Sequence, residues 1–270
     1  MGRGRVLIVA GSDSGGGAGI QADIKTVTAL GGYAASAVTA LTAQNTRGVF
    51  AVVGVEPAFI QQQMRVVLDD IGADAIKTGM LHSASVIAAV AQVLEALDPA
   101  VPVVVDPVMV ATSGDSLLDP GAEGALAARL LPLAAVLTPN APEAARLSGI
   151  PVENADDMAR AGAALRARGA RAVLVKGGHV PGPVVRDLLL TPAGAQWFES
   201  PRIDTPNTHG TGCTLASAIA TGLAQGLDLP AAVARARAYL HEAIRTAPGL
   251  GGGHGPVNHG HTVRPFSGKD

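Results

Sequence analysis

The sequence predicts an α/β fold built on one mostly parallel sheet with helices on both faces. Two observations carry this. Short apolar runs rich in β-branched residues recur along the chain, each followed by a polar or glycine loop and then by helical spacing. No long internal repeat and no linker interrupts that alternation, so residues 1–270 read as a single domain.

The elements follow in order. The apolar run 6–10 is a buried strand, and a glycine loop leads into a helix at about 18–30. A second extended stretch, 33–42, ends at Ala43-Gln44-Asn45. Pro57 opens a helix to about residue 70, since a first-turn residue needs no N–H. Residues 74–77 are a short strand, and Ser83 caps a helix to about residue 97. Strands at 101–105, 134–137 and 172–175 alternate with helices near 120–131, 142–147 and 156–168. Residues 188–191 and 196–199 form a hairpin across Pro192-Ala193-Gly194. Helices at 211–225 and 229–246 follow, and a tail rich in glycine and histidine from about 248 reads as loop.

Composition narrows the function. With 20 Lys+Arg against 22 Asp+Glu, the chain lacks the basic footprint of a nucleic-acid binder. Its one cysteine, Cys213, excludes an intrachain disulfide and a cysteine-rich zinc site. No apolar run approaches a membrane span, and the run 6–10 is too short for a signal-peptide core. A soluble, cytoplasmic protein with a small-molecule substrate is the expectation.

Ligands of such sheets bind beyond the carboxyl ends of the strands. The residues expected there are Gly11-Ser12-Asp13, Gln44-Asn45, Thr78-Gly79-Met80, Asp106-Pro107, Thr138-Pro139-Asn140 and Lys176-Gly177-Gly178-His179. Polar residues and glycines collect at that one edge.

Several of these have definite chemistry. The loop from Gly11 to Gly19 lies between strand and helix and is expected to offer spare N–H groups to a phosphate. It is not a Walker loop, and its likeness to a dinucleotide fingerprint lacks the acidic residue that would hold a ribose. Asp13 lies in this loop and Asp23 one turn into the helix after it, where a carboxylate also opposes the helix dipole. The Gln44 amide presents an acceptor beside donors, matching an aminopyrimidine edge, though on this residue alone a turn glutamine making local bonds is the favoured reading. Asp106 and Glu143 are placed to hold Mg²⁺ through waters, while Glu143 also suits an ordinary first helical turn. Lys176 ends a strand as a point charge for an anion, or as a solvated lysine. In Asn207-Thr208-His209-Gly210-Thr211-Gly212-Cys213-Thr214, the free N–H groups of a helix start form an anion hole. Cys213 falls in that first turn, where the dipole is expected to lower a thiol pKa.

Taken together, these motifs resemble the hydroxymethylpyrimidine/phosphomethylpyrimidine kinases of thiamine biosynthesis, within the ribokinase-like superfamily. The likeness runs from Val6 to about His261. Its narrowest carriers are the segment from Ala10 to Asp23, Thr42-Ala43-Gln44-Asn45, Lys77-Thr78-Gly79-Met80, Asp106-Pro107-Val108-Met109, Lys176-Gly177-Gly178-His179 and the Gly-Thr-Gly-Cys motif. The resemblance implies a three-layer ribokinase-like sandwich, a homodimer, ATP and Mg²⁺. It implies phosphorylation of 4-amino-5-hydroxymethyl-2-methylpyrimidine and then of its monophosphate. It assigns Gln44, Gly11, Asp23 and Met80 to the pyrimidine, and Lys176, Thr208, Gly210 and Gly212 to ATP. Asp106 and Glu143 go to the metal. Gly210, Thr211, Gly212 and Cys213 go to catalysis, with Cys213 where the superfamily carries an aspartate base. The tail departs from the family at Pro248-Gly249-Leu250-Gly251-Gly252-Gly253-His254. A vitamin B6 kinase and a pocket-bearing protein without catalysis are the competing readings.

Overall fold

Consecutive residues of the first strand, β1 (Arg5–Asp13), point to opposite faces, and both faces are buried. Leu7 and Val9 pack in one apolar cluster, Val6, Ile8 and Ala10 in the other. A strand covered on both faces needs a helical layer on each side, and the rest of the chain supplies them. The computed structural model describes residues 2–268. After β1 come α1 (Gly19–Ala29), β2 (Tyr33–Asn45), β3 (Gly48–Gly54), α2 (Pro57–Asp70), β4 (Ala75–Thr78), α3 (Ala84–Glu95) and β5 (Val103–Val105). Then follow α4 (Ala122–Ala125), β6 (Val136–Leu137), α5 (Ala141–Ser148), α6 (Ala155–Ala167), β7 (Val173–Val175), β8 (Val184–Thr191), β9 (Gly194–Pro201), α7 (Thr211–Ala224) and α8 (Leu229–Arg245).

The strands form one sheet in the order β3-β2-β1-β4-β5-β6-β7-β8-β9. Strands β2, β1, β4, β5, β6 and β7 are parallel, while β3, β8 and β9 run antiparallel to their neighbours. Helices α2 to α6 cover the Leu7 face and α1, α7 and α8 the Ile8 face. This is the expected α/β sandwich with a mostly parallel sheet. No helix among the described residues is long and apolar enough to cross a membrane.

Three elements depart from the sequence reading. Strand β1 does not end at Ala10: after a register shift, Ser12 and Asp13 pair with Leu41 and Thr42 of an equally prolonged β2. Residues 48–54, unassigned from sequence, are β3, an antiparallel partner of β2 across the turn Thr46-Arg47. That turn lacks the usual glycine signal, and the Asn45 side chain closes it by accepting from the Arg47 N–H at 2.8 Å. The helix expected at 120–131 is α-helical only over α4, then widens into a π turn at Leu126–Leu130 and tightens to 3₁₀ at Leu131–Leu133. Pro132 explains the change, because it has no N–H and its ring meets the carbonyl of the preceding turn.

The tail is irregular, as expected, but it is tied down. The N–H groups of Gly253 and His254 donate to the hydroxyl and carbonyl of Thr46 at 3.3 and 2.8 Å. Gly255 C=O accepts from the His209 N–H at 3.1 Å, and Thr262 Oγ1 donates to Ala29 C=O at 2.8 Å. A Cβ on Gly253 would lie 2.1 Å from Thr46 C=O, so the departure from the family pattern places glycine where the hairpin turn lies against the tail.

Candidate active site

From β1 the chain turns to β2 and β3 on one side, then crosses back to β4 on the other. This reversal opens a crevice at the carboxyl ends of the strands. A cavity of about 670 Å³ lies there, lined by β1, β4, β5 and β7 ends, by residues 108–117 and by the start of α7. Gly11, Gln44, Met80, Asp106, Glu143, Lys176, Thr208, Gly210, Thr211, Gly212 and Cys213 all line it.

At one end Gly11 faces Met80. A Cβ on Gly11 would sit 3.0 Å from Met80 Sδ, so glycine leaves room for the thioether. Met80 is held by its carbonyl, which accepts from Thr39 Oγ1 at 2.6 Å. The Gln44 backbone is fixed by Ser14, whose hydroxyl accepts from its N–H and donates to its C=O, both at 2.8 Å. Thr42 Oγ1 donates to Gln44 Oε1 at 3.2 Å, and the amide nitrogen has no partner among the described residues. Gln44 thus makes local bonds and also faces the cavity.

Asp23 is not on the cavity wall. Its carboxylate lies below the floor, fully buried, and accepts from Lys77 Nζ at 2.8 and 2.9 Å and from Ser217 Oγ at 2.7 Å. The substrate contact expected of Asp23 is corrected accordingly: α1 turns this side chain inward to neutralise a buried lysine.

The expectation that the glycine loop keeps spare N–H groups is also corrected. The Asp13 carboxylate takes three of them, with Oδ1 accepting from Gly15 at 2.7 Å and Oδ2 from Gly17 and Ala18 at 3.0 and 2.8 Å. Gly16 N–H donates to Asp13 C=O at 3.0 Å. A fourth contact on Asp13 joins Oδ2 to His209 Nε2 at 2.8 Å. Burial alone would raise this carboxyl, but the His209 bond and the N–H groups of Ala18 and Gly15 hold it below its usual range.

The start of α7 forms the other end. Gly210 is its N-cap, at φ +84°, and supplies no side-chain cap. A Cβ there would fall 1.8 Å from Gly17 C=O, so only glycine fits. The first four N–H groups of a helix have no intrahelical acceptor. Thr211 N–H is spent on Thr208 C=O at 3.3 Å, leaving those of Gly210, Gly212 and Cys213 for a ligand.

Beside them stand Asp106, Glu143 and Lys176. Lys176 Nζ donates to Asp106 Oδ1 at 3.1 Å and lies 3.9 Å from Glu143 Oε2. Thr138 Oγ1 also donates to Asp106 Oδ1, at 3.2 Å, while the buried Oδ2 has no hydrogen bond. A Cβ on Gly212 would stand 3.4 Å from Lys176 Nζ and 3.6 Å from Asp106 Oδ2, so glycine keeps this gap open. Glu143 does form a first helical turn: it closes a capping box with Asn140 through bonds of 2.7 and 2.9 Å. Burial, aided by Asp106 and opposed by Lys176, pushes its carboxyl up to about 7. Lys176 is no solvated strand end; despite burial, Asp106 and Glu143 hold its ammonium above the usual value.

Cys213 reverses an expectation. The helix start was expected to lower its thiol pKa, but burial pushes it up to about 12. Lys77 pulls downward, Asp23 and Asp106 add to the rise, and only the Gly19 N–H assists the thiolate further.

Sequence reasoning missed two functional contacts. The buried Lys77 carries no local signal, because a lysine at a strand end normally reaches solvent. Asp13 two residues before glycine is a recognisable turn former, yet nothing in the sequence pairs it with His209, 196 positions away.

The family described as phosphomethylpyrimidine kinase matches residues 13–258. The hydroxymethylpyrimidine/phosphomethylpyrimidine kinase of Streptomyces coelicolor is 51% identical over 255 residues, covering 94% of each chain. The Escherichia coli enzyme of that name is 46% identical over 264 residues, covering 97% of this chain and 99% of its own. The thiamine biosynthesis bifunctional protein ThiED of Geobacter sulfurreducens is 56% identical over 257 residues, and the chain spans about half, 52%, of its length. Among solved structures, the pyridoxal kinase from Staphylococcus aureus in complex with ADP superposes with a TM-score of 0.90 at 36% identity, covering 98% of this chain and 96% of that one. The phosphomethylpyrimidine kinase from Clostridium difficile superposes with a TM-score of 0.79 at 42% identity, covering 89% and 99%.

Proposed function

The chain belongs to the phosphomethylpyrimidine kinase family, and we propose that it transfers the γ-phosphoryl group of ATP to the hydroxymethyl oxygen of 4-amino-5-hydroxymethyl-2-methylpyrimidine and then to the resulting monophosphate. One observation carries this reading: the open N–H groups at the start of α7 face Lys176 and Asp106 across the gap beside Gly212, at one end of a cavity whose other end holds Gln44 and Met80. On this reading the start of α7 is an anion hole, with a site for a planar heterocycle beside Gln44 and Met80 and a site for a polyphosphate beside Lys176.

In phosphoryl transfer the protein positions the reactants and stabilises charge. Gln44 pairs the aminopyrimidine edge through its amide, and Gly11 and Met80 pack against the ring. The N–H groups of Gly210, Gly212 and Cys213 hold the oxygens of the transferred group as charge develops. Lys176 and Thr208 bind the nucleotide phosphates. The apolar end of the cavity between Ile203, Leu240 and Ile244 takes the base. The residues fit Mg²⁺: Asp106 Oδ2 is a buried acceptor without a partner, Glu143 lies alongside, and two carboxylates completed by water and phosphate suit a hard cation. No group of three or more potential metal-ligating side chains is gathered among the described residues. When bound, Mg²⁺ supplies neutralisation of the phosphate oxygens. Cys213 receives the hydroxymethyl proton. It does so as the thiolate, so the thiol first gives up its own proton to solvent, a loss that burial opposes and the Lys77 charge favours.

The test is ATP consumption measured separately with the pyrimidine alcohol and with its monophosphate. Turnover of both supports the reading, and turnover of neither removes it. A second reading, phosphorylation of pyridoxal, rests on the Staphylococcus aureus pyridoxal kinase solved with pyridoxal, at a TM-score of 0.89 and 35% identity. A higher kcat/KM on pyridoxal than on the pyrimidine would favour it. We also infer a homodimer. Its support is the exposed apolar surface of Leu41, Phe50 and Val53 on β2 and the edge strand β3, and sedimentation velocity of a Val53→Glu variant tests it.

A further inference from the structure

The helix that carries the anion hole starts without a side-chain cap. Most helices are capped by a Ser, Thr, Asp or Asn side chain that occupies their first N–H groups. A cap of that kind on α7 would fill the sites a phosphoryl group needs, and Gly210 provides none. The direction of the open N–H groups must then be set from outside the helix.

His209, the residue before that N-cap, is buried, and its Nε2 lies 2.8 Å from Asp13 Oδ2. With the carboxyl ionised, the proton of this bond sits on Nε2. Asp13 is in turn held by Gly15, Gly17 and Ala18, so it is locked into the glycine loop at the end of β1. The two segments also touch directly. A Cβ on Gly17 would lie 2.4 Å from His209 Cδ2, and one on Gly210 would lie 1.8 Å from Gly17 C=O. The tail closes the third side, with Gly255 C=O on the His209 N–H.

We propose that Asp13 and His209 form a positioning pair, whose buried hydrogen bond sets the first turn of α7 against the glycine loop and so aims the N–H groups of Gly210, Gly212 and Cys213 at the transferred phosphoryl group. Both residues border the cavity, and the role assigned to them is to position the N–H groups rather than to bind the transferred group. The inference rests on the kinase reading above.

The experiment compares His209→Phe, His209→Gln and Asp13→Asn with the wild type. Glutamine places its amide nitrogen where the imidazole Nε2 sits and restores a donor to Asp13; phenylalanine keeps bulk without a donor. Three quantities are measured: kcat on the pyrimidine alcohol, calorimetric affinity for the pyrimidine, and affinity for Mg·ADP with and without aluminium fluoride, which mimics the phosphoryl group in transfer. In His209→Phe, kcat falls about 10²-fold, the cost of a small misplacement. The gain in ADP affinity from fluoride falls by a similar factor, while pyrimidine and plain ADP affinities stay unchanged. His209→Gln recovers most of both losses. Equal loss in the Phe and Gln variants, or a folded Phe variant with wild-type kcat and fluoride gain, overturns the proposal. If the Phe variant does not fold, Asp13→Asn decides: its amide turns donors toward the loop N–H groups, and unchanged kcat and fluoride gain refute the pair. A wild type that gains ADP affinity from fluoride but turns over neither pyrimidine would instead count against the kinase reading, with the pair still testable through the fluoride gain.

Discussion

Lys77 Nζ lies 2.8 and 2.9 Å from the two carboxylate oxygens of Asp23, and neither side chain reaches solvent. Ser217 Oγ adds a bond to Asp23 Oδ1 at 2.7 Å, one helical turn beyond Cys213 on the same face of α7. The pair therefore joins α1, β4 and α7 directly beneath the anion hole. Burial works against the lysine charge, yet Asp23, with Cys213 and Asp106, holds the ammonium above its ordinary value.

Removing one partner of this pair leaves an uncompensated buried charge. Asp23→Asn is expected to cost about 3–5 kcal/mol in urea unfolding. Replacing both residues with apolar ones, Lys77→Met with Asp23→Leu, is expected to cost less than Asp23→Asn alone. A double variant as unstable as the sum of the single variants would show that the charges matter beyond their mutual neutralisation.

With the Cys213 thiol pushed up to about 12, the thiolate fraction at pH 7 is on the order of 10⁻⁵. Alkylation of the ligand-free protein by iodoacetamide is therefore slow at pH 7 and rises about tenfold per pH unit to pH 10 without a plateau. Cys213→Ser is expected to lower kcat roughly 10²-fold with substrate affinities intact, and Cys213→Asp to be the more active replacement. A serine variant with wild-type kcat would mean that the proton leaves without Cys213.

The Glu143 carboxyl, raised from about 4.5 in an unfolded chain to about 7, makes the ligand-free fold pH-sensitive. Below pH 4.5 both states are protonated and its contribution is complete. Between 4.5 and 7 the unfolded chain ionises first, so stability declines, by about 3 kcal/mol in all. In Mg²⁺-free buffer, Glu143→Gln is expected to remove this decline from unfolding free energies measured across that range. A wild type and variant with parallel pH profiles would refute the raised value.

Gln44→Leu removes both amide groups at similar volume and is expected to weaken pyrimidine binding by 10²-fold or more, on the order of the loss seen when a buried polar partner is left unpaired. ATP binding should be unaffected. Calorimetry with unchanged pyrimidine affinity would leave Gln44 as a turn residue that closes only local bonds.

Gly17→Ala is expected to slow phosphorylation of the alcohol and of the monophosphate by the same factor. Its Cβ would strike His209 Cδ2 at 2.4 Å and Pro256 Cβ at 3.0 Å, so it displaces the turn common to both reactions. A selective loss on the monophosphate would return the glycine loop to a phosphate-binding role.

The alternation of apolar runs and helical spacing was enough to determine the parallel sheet, because strands buried on both faces must be continuously apolar and each crossover must be helical. The residues at the strand ends were legible for the same reason: topology brings Gly11, Gln44, Met80, Asp106 and Lys176 to one edge whatever their side chains do there. What those side chains do was decided by tertiary structure. Asp23 belongs to the glycine-loop motif, but only the packing of α1 against β4 and α7 turns it toward Lys77. Asp13 occupies the loop N–H groups that looked free, and its bond to His209 spans 196 positions. The helix dipole predicted an acidic Cys213, whereas burial beside Asp23 and Asp106 outweighs it. Local patterning reports backbone propensity and burial, which are short-range. Charge pairing and desolvation depend on distances between segments far apart in the chain, and only the folded structure sets them.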